Sequence, residues 1–473
     1  MADRKIMARN GALLIKMQSA AGTYSSPAGS DAVLVENPAI GFNPTMVTTD
    51  EMNPSLDSRA PLPGGLSITL SGRFYLKGSG TPGVAPEWDP IAQICGFART
   101  TTLNQITGTD FSTNSGTGKI LAASTDITAL TVGTILYADG FTTAANNGEF
   151  LVSAVGSGDI TVTKSDGSAH GLTTESAGAS VTISYGVRGV AATAGSTTQF
   201  TAQSPWSNTA DLYRFMPVLL SGNPATPAFS QIRSYSSARV AVIENLMGSA
   251  LTTSTKVSIP AHTLYLPASD SLLPASAELY FDNAQKWSLI DLVGQSWKET
   301  WMPNGTCAVD FTATGKLYGT NPADSSNPAA AYDSTRPGLF FNSQFLVDRT
   351  AMGLNSLSYD LSNTVALPSN PNDAEGFDAP VITGRAFTMN FEPNLTTVAT
   401  RSFFANNFRP NTPASIHARL TGGNARNPGQ RIMRLTPTGI FTGYGHGNNS
   451  GMKTEQIPVF QDGFDSGSGL AIY

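Results

Sequence analysis

Short segments in which hydrophobic and polar residues alternate place the strongest constraint on how this chain can fold. Residues 66–76 are the clearest example, because every even-numbered position except Gly72 is leucine, isoleucine or phenylalanine. Successive side chains of a β-strand point to opposite faces of the sheet, so this pattern predicts a strand with one buried and one exposed face. The chain also contains 46 glycines and 29 prolines, which predict frequent turns. The sequence therefore predicts a mainly β protein.

Charged side chains are scarce. They make up 13% of the 473 residues, against roughly 25% in ordinary soluble domains, which disfavours long charged helices. The formal net charge is −6 and no run of lysine or arginine occurs. The basic surface that nucleic-acid readers use to grip phosphates is therefore missing, and a DNA-binding protein is disfavoured.

The composition changes twice along the chain. Residues 102–276 are rich in threonine, serine, alanine and glycine, whereas the segments on either side share the pattern of alternating strands. We therefore expect residues 1–101 and 277–473 to form one discontinuous domain. A weak repeat inside the insertion predicts two diverged β modules, residues 102–185 and 186–276. The matched segments are 130–140 with 216–222, 150–153 with 229–234, and 159–164 with 239–244.

Two short helices and one long loop are predicted in the outer segments. Asp89 as the N-cap, Pro90 at the first helical position and Gly96 as the stop predict a helix that lies on a sheet face. A second short helix is predicted over residues 396–405. Residues 43–65 contain four prolines and no periodic pattern, and loops of this length within a compact domain are usually functional.

The sequence indicates no catalytic, cofactor or metal site. The four histidines lie outside metal-ligand spacing, and we expect them to be solvated or hydrogen-bonded. Cys95 and Cys307 lie in apolar contexts and are predicted to be core thiols. The glycine-rich run before Lys119 lacks the Ser or Thr that a phosphate-binding loop requires next. Nothing in the sequence brings acids such as Asp310 and Asp360 together as in a glycosidase, so we expect a protein that is not an enzyme.

No export or membrane segment is predicted. The apolar run after the basic N-terminal residues, at positions 12–15, is broken by Lys16. No stretch reaches the roughly 18 apolar residues that are needed to cross a bilayer. We therefore expect the protein to be made and assembled in the cytosol.

Ordered sequence blocks in the outer segments carry a family resemblance. They lie at 10–16, 22–24, 31–35, 78–86, 89–90, 94–98, 354–365, 382–385, 388–393 and 400–405. Because these blocks follow one another in this order, the outer segments resemble the tail tube (major tail) proteins of long-tailed bacteriophages, in particular those of Mu-like siphophages. The insertion at 102–276 departs from the plain pattern of that family.

The resemblance implies both a fold and a role. The fold would be a β-sandwich or barrel-forming domain with a flanking short helix, assembled as hexameric rings that stack into a tube for genome ejection. The partners would be further copies of the chain and other tail proteins, such as the tape measure, tail terminator and distal tail proteins. DNA would pass through the lumen without specific binding. The expected location is the virion tail, assembled in the host cytoplasm, with the inserted modules on the tube exterior, where they could contact the host surface.

Two sets of residues are predicted to serve this role. A duct for DNA should present a polar, weakly acidic wall, because each Lys or Arg contact to phosphate would add attraction. The predicted lumen-facing residues are Ser67, Thr69, Ser71, Asp310, Thr312, Thr388, Asn390 and Glu392; an outward-facing position is the alternative for them. The long loop is predicted to reach the adjacent ring, and its candidate stacking residues are Asp50, Glu51, Asn53, Pro54, Asp57 and Arg59.

Two other functions compete with this hypothesis. A secreted or surface-displayed adhesin or surface-layer protein would share the Thr- and Ser-rich β modules and the low charge, but it should carry an export signal. A tail-associated depolymerase would share the viral setting, but it requires converging carboxylates. We rank the tube protein first, the adhesin second and the enzyme third.

Overall fold

The computed structural model describes residues 5–7, 10–49, 51–52, 57, 59–224 and 226–473. Strands account for 50% of the chain and helices for 5%. The strands form curled antiparallel sheets. The predicted mainly β fold is confirmed.

The strands and helices fall into four groups along the chain. The first outer segment contains β1 (Gly11–Met17), β2 (Ala32–Val33), β3 (Glu36–Val47), β4 (Leu62–Tyr75), α1 (Asp89–Ile94) and β5 (Phe97–Thr102). The first module contains β6 (Asn104–Gly108), β7 (Phe111–Asn114), β8 (Lys119–Ala122), β9 (Ile135–Asp139), β10 (Gly148–Val155), β11 (Asp159–Lys164) and β12 (Val181–Tyr185). The second module contains β13 (Val187–Ala191), β14 (Ala194–Gly195), β15 (Gln199–Thr201), β16 (Pro217–Ser221), β17 (Ala228–Tyr235), β18 (Val240–Ile243) and β19 (Lys256–Ile259).

The second outer segment completes the fold. Its first strands are β20 (His262–Pro267), β21 (Ala275–Phe281), β22 (Gln285–Trp301), β23 (Cys307–Leu317), β24 (Ala323–Asp324), β25 (Gly338–Leu339), β26 (Gln344–Val347) and β27 (Thr350–Ala351). The others are β28 (Leu354–Ala366), β29 (Val381–Pro393), β30 (Ala414–Leu420), β31 (Gly422–Gly423), β32 (Ile432–Phe441), β33 (Gly445–Asn449), β34 (Met452–Gln461) and β35 (Gly469–Ile472). Short 3₁₀ turns lie at Gly29–Asp31, Ala144–Asn146 and Asn424–Arg426, and a π-helical turn lies at Phe404–Phe408.

The outer segments form two antiparallel layers around one core. Layer one has the strand order β3-β4-β23-β22-β28-β29-β34-β33. Layer two has the order β5-β20-β35-β32-β30-β26. The layers join where the end of β32 pairs with β34. Because layer one buries only one face, its strands alternate between apolar and polar residues.

A buried ion pair crosses the core between the layers. Arg434 on β32 lies 3.5 Å from Glu299 on β22, and both side chains are fully buried. The indole N–H groups of Trp297 and Trp301 donate hydrogen bonds to Glu299 at 2.9 and 3.0 Å. The guanidinium of Arg434 also packs 5.0 Å from the ring centre of Tyr359 on β28. These contacts tie layer two to the inner face of layer one.

The first predicted helix is confirmed and the second is misplaced. Helix α1 spans Asp89–Ile94, but its N-cap is Trp88 and not Asp89. The Asp89 carboxylate is instead buried, where it accepts a hydrogen bond from the hydroxyl of Tyr265 at 2.8 Å. Burial raises the pKa of Asp89. Residues 396–402 form no helix, and only the end of the predicted segment overlaps a helical element, the π-helical turn at Phe404–Phe408.

The two inserted modules have the same topology. Each is a seven-stranded sheet, in the order β6-β12-β9-β10-β11-β8-β7 for the first and β13-β19-β16-β17-β18-β15-β14 for the second. Each strand of the first module has its counterpart at the same place in the second. The three pairs of segments matched in the sequence fall on β9 and β16, β10 and β17, and β11 and β18.

Backbone details repeat between the modules as well. The pairing of β10 with β11 shifts after Val152, and that of β17 with β18 shifts after Ile232. Gly133 and Phe215 donate their N–H groups to the carbonyl oxygens of these two residues, both at 2.8 Å. Gly133 and Phe215 also both have positive φ, 87° and 67°. The duplication therefore extends to unusual local geometry.

The predicted end of the insertion lies too far along the chain. Residues 262–267, assigned to the second module from the sequence, form β20 in layer two. This strand pairs with β5 on one side and with β35 on the other, and Thr102 lies opposite His262. The module sheets span 104–185 and 187–259. The short strands β19 and β20 have similar composition, so the sequence does not show that the first belongs to the module and the second to layer two.

Both modules dock on neighbouring units through the same loop. Gly133 of the first module packs against the backbone of Gly189 in the second, so that a Cβ on Gly189 would overlap it. At the equivalent position, Phe215 of the second module packs against Gly469 of β35. In both contacts the packing partner lies so close to the glycine that a side chain in its place would clash.

Arg431 joins both modules to the outer domain. Its Nη1 donates to Glu149 of the first module at 2.7 Å. Its guanidinium lies 4.8 Å from the ring centre of Phe229 in the second module and 5.7 Å from that of Tyr473. The Arg431 and Glu149 side chains are both almost fully buried, so the junction is part of a packed interface.

Candidate assembly surfaces

The face of layer one that points away from the core is polar. On β4 and β23, core residues such as Leu70 and Val309 are fully buried and alternate with polar residues. The cross-strand register places Thr312 opposite both Ser71 and Ser296, so the polar positions form one surface. We call this surface the polar face. The strand register directs all eight residues predicted to face a lumen away from the core: Ser67, Thr69, Ser71, Asp310, Thr312, Thr388, Asn390 and Glu392. Seven of them are at least partly exposed, whereas Ser67 is buried and cannot face a lumen in this structure.

A row of alternating charges crosses the polar face. In register across five strands, the row consists of Glu36, Arg73, Asp310, Lys298 and Asp360. The Arg73 guanidinium binds the Asp310 carboxylate through two hydrogen bonds of 2.7 and 2.9 Å. The side chains of this pair are nearly half exposed. The row has one more carboxylate than cations and is therefore weakly acidic.

Of the five members of this row, only Asp310 is among the residues predicted to face a lumen. The sequence pattern predicts strand β22 only over residues 286–293. Lys298 lies beyond that end, because Gly294 and the buried carboxylate of Glu299 interrupt the hydrophobic alternation there. Nothing in the sequence places Asp360 near Asp310. The structure places both carboxylates on one face, two strands apart, with Lys298 between them. The two tryptophans around Glu299 were the available signal for a longer strand.

A long hairpin projects from one end of layer one. Strands β3 and β4 remain paired as far as Val47 opposite Leu62. The predicted loop over residues 43–65 is therefore wrong at its flanks, because residues 43–47 and 62–65 belong to strands. Described residues 44–47 and 60–64 are all exposed. We call residues 43–65 the arm and residues 48–61 its tip segment.

The base of the arm is held by a charged contact. Lys316 at the end of β23 binds Asp373 at 2.9 Å and lies 3.4 Å from the buried Asp291. Asp373 belongs to the loop between β28 and β29, in which the carbonyl oxygen of Glu375 packs directly on Gly65. Interaction with Glu375 N–H and with Lys316 lowers the pKa of Asp373. The arm is thus anchored at its base, and its described residues 43–49, 51–52, 57 and 59–64 are exposed.

Three of the six candidate stacking residues lie among the described residues. Glu51 and Arg59 form an ion pair across the tip segment, and both are more than half exposed. Asp57 is exposed as well. The other three candidates, Asp50, Asn53 and Pro54, lie outside the described residues. Met52 in the same segment is fully exposed, at 103%.

The end of layer one opposite the arm exposes several large apolar side chains. The register places the C-terminus of β29 and the N-terminus of β34 at this end, because Leu354 pairs with Pro393 and Phe391 with Ile457. The chain that leaves β29 there exposes three large side chains, and the turn before β34 exposes a fourth. We call this set the basal patch: Leu395, Val398, Phe404 and Met452.

Two of the four histidines are buried and uncharged. His262 is fully buried, with Nδ1 2.9 Å from the carbonyl oxygen of Pro260, and burial lowers its pKa to about 4. His417 is fully buried with no hydrogen-bond partner at either ring nitrogen, so the expectation of a solvated or hydrogen-bonded side chain is wrong there. Burial and the nearby Arg419 lower the pKa of His417 to about 3.

The predicted core thiols are confirmed. Cys95 and Cys307 are both free and fully buried, and burial raises the pKa of each thiol. Within the described ranges, no group of three or more His, Cys, Asp or Glu side chains is arranged to hold a metal ion. In the same part of the chain, no helix combines the length and apolar character needed to cross a membrane.

Comparison with known proteins adds no family assignment. No protein-family model and no curated protein matches this chain.

Proposed function

We propose that this chain is a structural virion protein that polymerises as stacked, hexameric rings to form a phage tail tube, the conduit for genome ejection. The observation that supports the proposal is the polar face, a continuous antiparallel surface on which seven of the eight predicted lumen residues are at least partly exposed. Its charges alternate in sign with a slight excess of carboxylates. Such a wall offers a passing duplex no cluster of cations to bind.

The edges of layer one support closure into a ring. In the described residues, β3 pairs only with β4 and β33 only with β34, so each has one unpaired edge. Unpaired edges invite strands from another chain, and a head-to-tail arrangement of identical copies closes into a ring when the rotation permits. The polar faces would then line the inside and the apolar core would lie behind them.

Electron microscopy of the purified protein tests this proposal. Negatively stained samples, prepared with and without tail-tip components, should show rings or hollow tubes. Sedimentation at high protein concentration should show species several times heavier than the 49.5 kDa chain. Monomers alone under all of these conditions would contradict the proposal.

The adhesin alternative makes a different prediction. An adhesin would bind intact host envelopes as a monomer, and its binding would depend on the inserted modules. Tubes that form without any envelope material would favour the tail tube over the adhesin.

A further inference from the structure

We propose that Lys316 and Asp291 condense to form an isopeptide bond, with Asp373 as the catalytic proton carrier. This covalent cross-link would join the neighbouring strands β22 and β23 inside layer one. It concerns a reaction within one chain and does not depend on the proposed tube. Three observations support it: the burial of the two reacting groups, the different surroundings of the two Asp291 oxygens, and the second carboxylate on Lys316.

The two reacting side chains face each other inside the fold. Lys316 Nζ lies 3.4 Å from Oδ2 of Asp291, and the two side chains are 11% and 0% exposed. Such a buried pair has lost most of the hydration that stabilises an ammonium and a carboxylate as separate ions in water. Groups held together in a folded protein react as if at a very high concentration, about 10⁵ M or more, so amide formation does not require an activated acyl group.

An irregularity in β22 positions Asp291. The pairing of β22 with β23 shifts between Ile290 and Val293, and Asp291 has a φ of 56°, in the left-handed region that favours glycine. Register shifts of this kind redirect side chains, and unusual backbone conformations cluster at functional sites. Ile290 is the cross-strand partner of Lys316, so the shift begins at the residue opposite the lysine.

The two oxygens of the Asp291 carboxylate have different surroundings. Oδ1 accepts a hydrogen bond from the N–H group of Gly22 at 2.7 Å. The Gln18 amide, oriented so that its nitrogen and oxygen both find partners, donates a second hydrogen bond to Oδ1 at 2.9 Å. Oδ2 is buried and makes no hydrogen bond within the described residues. Two donors on Oδ1 would stabilise the negative charge that develops there when an amine adds to the carboxyl carbon.

Asp373 is placed to move protons between the reacting groups. Its carboxylate accepts a hydrogen bond from Lys316 Nζ at 2.9 Å. Hydrogen bonds from the Glu375 N–H group and from Lys316 lower the pKa of Asp373, so the carboxylate is ionised at neutral pH and has room for a proton. The Asp373 side chain is 25% exposed, which gives the released water a way out.

The reaction balances with water as its by-product. Asp373 carries one proton from the Lys316 ammonium to Oδ2 of Asp291. The neutral amine then adds to Cγ and forms the new C–N bond, with the negative charge on Oδ1. Asp373 carries a second proton from the nitrogen to Oδ2, the Cγ–Oδ2 bond breaks, and Oδ2 leaves as water. An ammonium and a carboxylate thus become an uncharged amide, and Asp373 returns to its original state.

Intact-mass measurement of the purified, denatured full-length chain tests the bond. Lys316→Arg retains the positive charge, but its guanidinium stays protonated and does not attack a carboxyl group. After correction for the substitution, Lys316→Arg should therefore be heavier than the native protein by one water. Lys286→Arg is the matched control, because Lys286 binds Glu278 at 3.1 Å across the neighbouring strands β21 and β22. Its corrected mass should equal that of the native protein.

Tryptic digestion locates the bond. The native protein should yield a branched peptide in which residues 287–298 are joined to Lys316. Ring closure at an Asp-Gly pair such as Asp139–Gly140 also removes one water, but that loss would persist in Lys316→Arg and would give no branched peptide. A native protein without the branched peptide would refute the proposal, whether or not the variants fold. Rings or tubes built from such unlinked protein would leave the proposed function intact.

Asp373→Asn tests the proton carrier. Samples withdrawn during cell-free synthesis give the rate at which the chain loses water. We expect this rate to fall at least about 100-fold in Asp373→Asn, which is the usual contribution of a positioned acid–base group. Circular dichroism should show the same fold as in the native protein. Bond formation at the native rate in folded Asp373→Asn would overturn the role of Asp373.

Discussion

Two buried side chains, His417 and His262, make stability depend on pH. The pKa of each is depressed in the folded protein, to about 3 and about 4, from an ordinary value of 6.5. Below pH 6.5 the unfolded chain binds protons that the folded chain does not bind, so the free energy of unfolding falls as the pH falls. The fall continues until the folded pKa is reached, at a slope of about 1.4 kcal/mol per pH unit for each histidine.

Replacing His417 tests this linkage. His417→Leu should reduce the slope of unfolding free energy against pH between 6 and 4 by about 1 kcal/mol per unit, because one of the two buried groups no longer titrates. Urea unfolding at several pH values measures the slope. His446 is exposed, and His446→Gln should leave the slope unchanged. A slope in His417→Leu equal to that of the native protein would show that His417 is not buried in its neutral form.

Arg431 couples the outer domain to both modules, through Glu149 and Phe229. Arg431→Met leaves the buried carboxylate of Glu149 without its partner and should lower the free energy of unfolding by about 3 to 5 kcal/mol. The double variant Arg431→Met/Glu149→Met removes both charges and should recover most of the loss. Chemical unfolding at pH 7 measures both proteins. Equal instability of the single and double variants would mean that packing, and not the ion pair, accounts for the effect.

At the scale of elements, the sequence predicts those strands and helices that depend mainly on residues close together in the chain. The strand at residues 66–76 and the helix at 89–94 follow from alternation and from the positions of Pro90 and Gly96, so both could be predicted. Strand β3 could not, because it is exposed on nearly all of its length and contains Pro44. Its strand conformation comes from pairing with β4. The predicted lumen-facing residues identify the polar face on β4, β23 and β29. Its continuation across β22 could not be predicted, because it depends on the buried Glu299, whose partner Arg434 lies far away in the sequence.

The arm should be separable from the fold that carries it. Val47 and Leu62 are cross-strand partners, so replacing residues 48–61 by Asn-Gly would close the hairpin with a two-residue turn. The free energy of unfolding should stay within about 0.5 kcal/mol of the native value, because those of the replaced residues that the structure describes are exposed. Thermal unfolding measures the stability, and electron microscopy of the same variant measures tube length. Tubes of normal length would show that the arm does not join successive rings.

At the scale of the whole molecule, the inserted modules are bound to the domain that carries them. Met433, Leu435 and Tyr473 of the outer domain are almost fully buried in a cluster with residues of both modules. Removing the modules would expose these side chains to water. The sequence indicated the presence of two copies but not this interface, because it is formed by residues far apart in the chain.

Whether a protein without the modules folds should depend on where the deletion begins and ends. Deleting residues 102–276 removes β20, which pairs with two strands of layer two, and should abolish folding. Deleting residues 103–261 and inserting Asn-Gly keeps Thr102 opposite His262, and should give a folded but less soluble domain that builds thinner tubes. Circular dichroism and microscopy compare the two proteins. Folding of the first, or complete unfolding of the second, would contradict this account.

The charge row on the polar face has a physical consequence for anything that moves above it. Neighbouring strands lie about 4.8 Å apart, so positive and negative charges in the row alternate over a distance shorter than the Debye length of about 8 Å at physiological ionic strength. The alternating part of this potential cancels within roughly one strand spacing of the surface, so that only the field of the single excess carboxylate remains farther out. Added salt therefore has little long-range field to screen. A polyelectrolyte at that distance would meet an electrically smooth wall, over which its sliding would be almost independent of ionic strength.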